Sequence, residues 1–240
     1  MATVARPSPT PRRRATRPRG ARDRAARVVE ILAAEYPDAR CALAHRNAFE
    51  LLCATILSAQ CTDERVNMVT PALFARFPAP ADLASADPEE VESIVQSTGF
   101  FRSKAKNLIG MAQALEKEYG GEVPVELDDF VTLPGVGRKT GNVVRSVWFG
   151  EPGLPVDTHV TRLSGRLGLT RETDAVHIEH DLGAMVPPAE WGALSLRLIE
   201  HGRRVCDARR PRCDDCALAG ICPSAGRAAG AGRRRGQSGS

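Results

Sequence analysis

Four cysteines fall within seventeen residues near the end of the chain, as Cys206-x6-Cys213-x2-Cys216-x5-Cys222. Four thiolates are the full ligand set for a 4Fe–4S cluster or for a structural zinc. Zinc sites commonly use two tight cysteine pairs, and one tight pair flanked by two wider singletons is less typical of them. A thioredoxin-type redox pair would use Cys213 and Cys216 alone. It would leave Cys206 and Cys222 without a task, and no βαβ pattern surrounds the motif. Three further cysteines, Cys41, Cys53 and Cys61, are scattered through the first half, for an odd total of seven. A secreted disulfide framework would spread its cysteines along the whole chain, so the usage points to a reducing compartment with a local metal site.

The second stretch with chemical content is Leu133-Pro134-Gly135-Val136-Gly137-Arg138-Lys139-Thr140-Gly141, followed by Asn142-Val143-Val144. A short helix over 129–132 is expected to lead into it. Pro134 and Gly135 break that helix, Val136 can plug the core, and Gly137 lets the backbone turn and approach a ligand closely. The next helix then starts at once. Its first N–H groups have no intrahelical partner and carry partial positive charge. A hairpin of this shape can hold a phosphate oxygen through backbone N–H groups alone. Such a contact is blind to base sequence and positions a duplex. The run Gly-Val-Gly-Arg-Lys-Thr is not a P-loop, which needs Gly directly before the Lys and another Gly five residues earlier; here Arg138 precedes Lys139. The crowding of Pro, Gly, Arg and Lys exceeds what an ordinary inter-helix turn requires. The stretch resembles the helix-hairpin-helix element of DNA-binding proteins, many of which are not enzymes.

The elements that must carry these motifs read as helices almost throughout. Val28, Val29, Ile31 and Leu32 share one face of a first helix that stops before Pro37, and Phe49, Leu52, Cys53, Ile56 and Leu57 repeat the spacing in a second. Asp87-Pro88-Glu89-Glu90 is a helix start, with an N-cap acid, Pro in the first turn and acids near the positive end of the dipole, and Ile94 follows on the buried face. Residues 104–119 continue with Leu108, Ile109, Met111, Ala112 and Leu115 before a Gly120-Gly121 stop. Alternating β-type runs are missing. The expected fold is all-α with roughly ten helices.

Composition bounds the partners. The chain has 240 residues, 42% of them hydrophobic, and the apolar residues lie in its middle. No apolar run approaches the ~18 residues of a membrane span, and no signal peptide is expected. Residues 1–27 hold nine Arg and one Asp, residues 223–240 hold four Arg and no acid, and the middle holds 20 basic and 28 acidic side chains, a net of −8. The basic balance therefore belongs to the tails, and any nucleic-acid reading must rest on local patches and motifs. Residues 1–21 and 223–240 are expected to be disordered basic tails that add non-specific phosphate contacts. The prolines of the first tail argue against the amphipathic helix of an organelle transit peptide. The expected location is the cytoplasm, on the nucleoid.

The two motifs, in this order and about 65 residues apart, resemble the endonuclease III family. So do LLCATILSAQCTD (51–63), GFFRSKAKNL (99–108) and VDTHVTRLSGRLGL (156–169), and the resemblance spans roughly residues 25–223. It implies a six-helix domain with the hairpin (41–151), a second domain (22–40 and 152–222) that holds a 4Fe–4S cluster on Cys206, Cys213, Cys216 and Cys222, and a DNA-binding cleft between them. The arginines around the cluster, Arg203, Arg204, Arg209, Arg210 and Arg212, would offset its charge and offer cations to a DNA backbone. The resemblance also implies a bifunctional DNA glycosylase and abasic-site lyase acting as a monomer on double-stranded DNA with a damaged pyrimidine or an abasic site.

Lys139 matches the family's nucleophile, which attacks C1′ and forms a Schiff base. A helix N-terminus and partial burial would both disfavour its charged form. Asp157 matches the carboxylate that stabilises positive charge building on the sugar, and it also suits an N-cap. Gln60 matches the residue that fills the gap left by the extruded nucleotide. Phe100 stands where relatives usually carry a leucine wedge, and its ring can stack on exposed bases. With Gly135, Gly137 and Arg138 these form the expected DNA contacts. An adenine glycosylase of the same superfamily would lack the lysine and carry a further C-terminal domain. A non-enzymatic hairpin protein with structural zinc would need neither Lys139 nor Asp157.

Overall fold

The computed structural model describes residues 16–226. Among them the regular structure is helical: α1 Ala21–Glu35, α2 Ala48–Leu57, α3 Asp63–Arg76, α4 Pro80–Ala84, α5 Pro88–Val95, α6 Phe101–Tyr119, α7 Leu127–Phe130, α8 Arg138–Val144, α9 Thr158–Arg166, α10 Ala175–Gly183 and α11 Trp191–Arg204. Side chains close several N-termini where the sequence supplies acceptors. Asn47 Oδ1 accepts from Glu50 N at 2.8 Å, Asp87 Oδ1 from Glu89 N at 2.9 Å, and Asp174 Oδ1 from Val176 N at 3.0 Å. Each such cap satisfies a donor that the helix cannot pair itself, and contributes about 1 kcal/mol. Gly120 ends α6 in the left-handed region, at φ 61.

The apolar residues gather into two clusters. The first runs from Leu43 to Val144 and is built by α2 to α8. Helix α2 forms its centre: every residue from Phe49 to Leu57 is buried, so the helix is covered on all faces rather than along one stripe. Helix α6 lays Leu108, Met111, Ala112 and Leu115 into the same cluster. The second cluster joins α1 to residues 154–218, with Val28 and Leu32 of α1 packed among Val160, Leu163, Leu182, Leu194 and Leu198. Arg24 fastens α1 there: its Nε donates to the carbonyl of Leu167 at 2.7 Å.

The expected basic tails lie mostly outside the described residues. Where they are described, the folded chain begins earlier than the sequence suggests. Ala21 is buried and opens α1, and Arg17 Nη2 reaches Asp181 Oδ1 at 3.4 Å. Among the described residues no helix is long and apolar enough to cross a membrane.

Candidate functional site: a cleft and a ring of cysteines

The hairpin forms as expected, with two shifts. The lead-in helix α7 covers Leu127–Phe130, two residues earlier than 129–132, because Thr132 has already turned its hydroxyl back to the carbonyl of Asp129 at 2.7 Å. The turn itself is made at Gly135, not Gly137. Gly135 has φ 75, and a Cβ there would lie 2.6 Å from Asn107 Cβ. Gly137 is extended, at φ −98 and ψ 173, and serves as the N-cap residue of α8. A Cβ on Gly137 would meet nothing within 4 Å, so its surface is bare and open to close approach. No side chain caps α8, and the first N–H groups of the helix face outward over that bare surface. Val136 is buried in the first cluster and plugs the hairpin onto it.

Helix α8 carries Lys139 to one wall of a cavity whose other wall carries Asp157. Thr55 and Ser58 line the same cavity, as do Ser146 and Arg203. Lys139 is exposed, not partly buried as the sequence suggests. It lines the cavity while remaining open to solvent. Asp157 is the N-cap of α9: its Oδ1 accepts from Val160 N at 2.8 Å. The cap engages one carboxylate oxygen and fixes the side chain toward the cavity. Helix α8 ends in a single π-turn over Arg145–Phe149, closed by Gly150 at φ 68, which brings Ser146 and Val147 to the cavity wall.

Two ion pairs bridge the clusters beside this cavity, and sequence reasoning found neither. Arg203 of α11 meets Asp63 at the start of α3, Nη2 to Oδ2 at 2.6 Å. Arg138 forms a two-pronged pair with Glu179 of α10, Nε to Oε2 at 2.8 Å and Nη2 to Oε1 at 2.7 Å. The sequence suggests that Arg138 faces DNA. Its guanidinium is instead answered by Glu179, so a phosphate would have to share it. The partners lie 140 and 41 residues apart in sequence, too far for spacing to reveal them. His159, near Asp157, sits against Gly202 and Arg162 rather than in the cavity; burial pushes its imidazole below the usual value, against the pull of Asp157.

Gln60 and Phe100 share a backbone property. Among the described residues they are the non-glycine residues with positive φ, at 53 and 47. Left-handed backbone costs an L-residue about 1–2 kcal/mol, and such strain concentrates at ligand clamps. Phe100 is 68% exposed. Its ring stands off the surface with no packing to reward it.

The four cysteines of the C-terminal motif line a second cavity together with Arg166, Leu167, His201 and Leu218. Cys206 follows α11 directly, its N–H bonded to His201 O at 2.8 Å, and the short turns at 213–215 and 219–221 present Cys216 and Cys222. Arg166 braces the loop. Its Nη1 donates to Asp207 O at 2.7 Å and lies 3.2 Å from Cys206 Sγ, while its Nη2 donates to Ala208 O at 2.7 Å. On the other side His201 Nε2 lies 3.4 Å from Cys216 Sγ, and His201 Nδ1 lies 2.9 Å from the Tyr36 hydroxyl. Burial pushes the Cys216 and Cys222 thiols up, and the neighbouring cysteines add to it. The raised thiols of Cys216 and Cys222 suit a site whose metal supplies the compensating positive charge. Among the described residues no three His, Cys, Asp or Glu side chains converge on one point as they would around a single ion. The four cysteines on one cavity supply the number of thiolates that a fully thiolate-ligated metal group requires. Of the surrounding arginines, Arg203 is paired with Asp63 and Arg204 with Glu200, whereas Arg209 and Arg210 are exposed.

Residues 53–188 match the family described as HhH-GPD superfamily base excision DNA repair protein. Endonuclease III from Synechocystis sp. is 52% identical over 205 residues, covering 85% of this chain and 94% of that protein. The chain belongs to the endonuclease III family. Endonuclease III from Bacillus subtilis is 47% identical over 188 residues, 78% of this chain and 86% of that one. Among solved structures, a non-covalent endonuclease III–DNA complex superposes with a TM-score of 0.82 at 42% identity, covering 86% of this chain and 97% of that one. A thermostable thymine-DNA glycosylase shares the fold, at a TM-score of 0.77 and 21% identity. The family match over residues 53–188 includes Gln60, Phe100, the hairpin, Lys139 and Asp157.

Proposed function

We propose that the chain is a bifunctional DNA glycosylase and abasic-site lyase of base excision repair that acts on oxidised pyrimidines. The observation that carries this is the pairing of an amine and a carboxylate, Lys139 and Asp157, across one cavity in the cleft. Gln60 and Phe100 would enter the duplex as the damaged nucleotide is extruded, because a base inside the stack is out of reach of Lys139. The backbone N–H groups of the hairpin, with Gly135 shaping the turn and Gly137 leaving its surface bare, would hold a phosphate. Asp157, ionised, would stabilise the positive charge that builds on the sugar as the base departs. The neutral amine of Lys139 then bonds to C1′ and the base leaves with the bonding electron pair and takes up a proton. Opening of the sugar ring gives a Schiff base. Loss of a C2′ proton expels the 3′ phosphate, and water releases Lys139.

Cys206, Cys213, Cys216 and Cys222 would hold a 4Fe–4S cluster. The group would supply structural cross-linking, since four thiolates leave no coordination site for substrate. It would order the loop that carries Arg209 and Arg210 toward the DNA backbone. The two apolar clusters support a reading as two domains with the cleft between them. One chain supplies both Lys139 and Asp157, so a monomer suffices, working on the nucleoid in the cytoplasm.

Borohydride reduction during turnover tests the reading. The wild type is expected to leave a covalent protein–DNA adduct through the Schiff base. Lys139→Gln should lose both adduct and strand cleavage while still binding abasic DNA. An adduct formed by Lys139→Gln at the wild-type rate would mean that another amine attacks. Base release by the wild type without any adduct would favour a monofunctional glycosylase.

A further inference from the structure

Lys104 is a buried lysine that no step above uses. It is 4% exposed, and its Nζ donates to the carbonyl oxygen of Thr98 at 2.8 Å. Thr98 closes a short turn at 96–98, and the two residues after it have positive φ: Gly99 at 71, and Phe100, which is left-handed, at 47. The backbone N–H of Lys104 donates to Phe100 O at 3.0 Å. One residue therefore grips the chain on both sides of the strained Gly99–Phe100 pair, by its side chain before it and its main chain after it. Its side chain is withdrawn from solvent. Burial pushes it below the ordinary lysine value, and the neighbouring Cys61, next in sequence to Gln60, pulls the other way. The turn at 96–98 packs on α3, which begins just after Cys61.

Stability is a poor reason for this arrangement. Taking an ammonium out of water is unfavourable by several kcal/mol, and a buried ion is often replaced by an apolar residue of similar volume without loss. What a lysine does here that a methionine would not do is hold the Thr98 carbonyl. With that carbonyl released, the left-handed Phe100 can relax toward the broad allowed regions, and its ring moves with it.

We propose that Lys104 is a positioning residue that locks the Phe100 loop in the shape that fills the gap beside an extruded nucleotide. This rests on reading Gln60 and Phe100 as gap fillers. The test uses the full-length protein and compares two substrates, an abasic site in a duplex and the same site in single-stranded DNA, which offers no stack to fill. Single-turnover cleavage and borohydride trapping are measured on both, with 2-aminopurine fluorescence next to the duplex site reporting unstacking. Lys104→Met is expected to lose roughly tenfold on the duplex, about 1.4 kcal/mol of barrier, and less than about twofold on the single strand. Its fluorescence change should shrink to match. Lys104→Gln, too short to span to Thr98, should do the same if the methionine variant does not fold, and Lys104→Arg, which keeps a donor, should recover most of the duplex rate. Gln60→Ala and Phe100→Ala serve as references. An equal loss on both substrates, or no duplex loss where the references lose, overturns the role of Lys104 alone. If the references themselves show no duplex-selective loss, the gap-filling reading falls and the inference with it.

Discussion

Replacing Asp157 by asparagine and by alanine separates the two tasks held by one carboxylate. Its Oδ1 caps α9 by accepting from Val160 N at 2.8 Å, and its charge faces the cavity that Lys139 also lines. Asparagine keeps an oxygen in the capping position and loses only the charge near the helix N-terminus, about 0.5 kcal/mol. Alanine loses the cap as well, about 1 kcal/mol more. For a protein of this size each kcal/mol moves Tm by roughly 2–4 °C. Asp157→Asn should therefore melt about 2 °C below the wild type and Asp157→Ala about 5 °C below it. Catalysis should not separate the two variants. Losing the charge that stabilises a developing cation removes roughly 3 kcal/mol, on the order of 100-fold to 1000-fold in rate, and both variants lose it equally. The assay is single-turnover base release and borohydride trapping at saturating enzyme, beside a thermal melt. Equal rates with unequal melting temperatures are the expected pattern. Asp157→Asn working near the wild-type rate would show that the carboxylate only caps, and Asp157→Ala working far more slowly than Asp157→Asn would show that the helix start matters more than the charge.

Arg138→Ala leaves Glu179, whose side chain is 12% exposed, without its two-pronged partner. The Arg138 side chain is itself 37% exposed, so the loss should be about 1 kcal/mol and a few degrees of Tm, and the salt dependence of DNA binding should fall by at most one neutralised phosphate; unchanged melting would show that the pair contributes nothing. Cys213→Ala should give poorly folded protein without the absorbance near 400 nm expected of an iron–sulfur cluster, whereas EDTA should leave wild-type cleavage intact; zinc-loaded, iron-free protein with full activity would refute the cluster. Deleting residues 1–15, which hold four Arg, should weaken non-specific binding and flatten its salt slope by about 0.9 for each DNA phosphate that those arginines neutralise, with the single-turnover rate unchanged; a large drop in that rate would place the segment in the active site. Phe100→Gly should melt no lower than Phe100→Ala, since glycine relieves the left-handed strain that alanine keeps; a lower Tm for the glycine variant would show that the backbone at φ 47 is not strained.

Much of this was legible in the sequence because it is local. Caps such as Asp87, stops such as Gly120 and the plug Val136 all depend on neighbours within a few residues. The order of Gly-rich hairpin and cysteine motif carried the family resemblance. Pattern alone did not tell the two hairpin glycines apart: the turn falls on Gly135 because Asn107 of α6, far away in sequence, leaves no room for a side chain there. Periodicity also under-described α2. Its apolar spacing reads as one buried stripe, yet Thr55 and Glu50 are buried too, because helices surround it on every side. The bridges Arg138–Glu179 and Arg203–Asp63 needed the fold, since each joins residues from different clusters. Lys104 was hidden for a different reason: an isolated lysine in a helical pattern reads as a solvated face.

On the proposed reading, the placement of the strained residues would let a rigid scaffold offer contacts to a deformed duplex. Gln60 follows α2 and Phe100 opens α6, the two helices whose residues fill the first apolar cluster most completely. A fully buried leucine there stabilises by roughly 1.5–3 kcal/mol, more than a left-handed residue costs, so each strained residue is held by several turns of helix that cannot shift to relieve it. A wedge on a flexible loop would lose its ordering entropy on binding DNA. If Gln60 and Phe100 fill the gap, that ordering is completed during folding, which would leave more of the contact energy with a duplex to oppose unstacking. The same logic places Lys139 and Asp157 at the starts of α8 and α9. Both are fixed at their backbones, by the packed hairpin and by the Asp157 cap, while their reactive ends face an open cleft. On the proposed reading the chemistry would be set before DNA arrives, and DNA would add the covering that excludes water from Lys139.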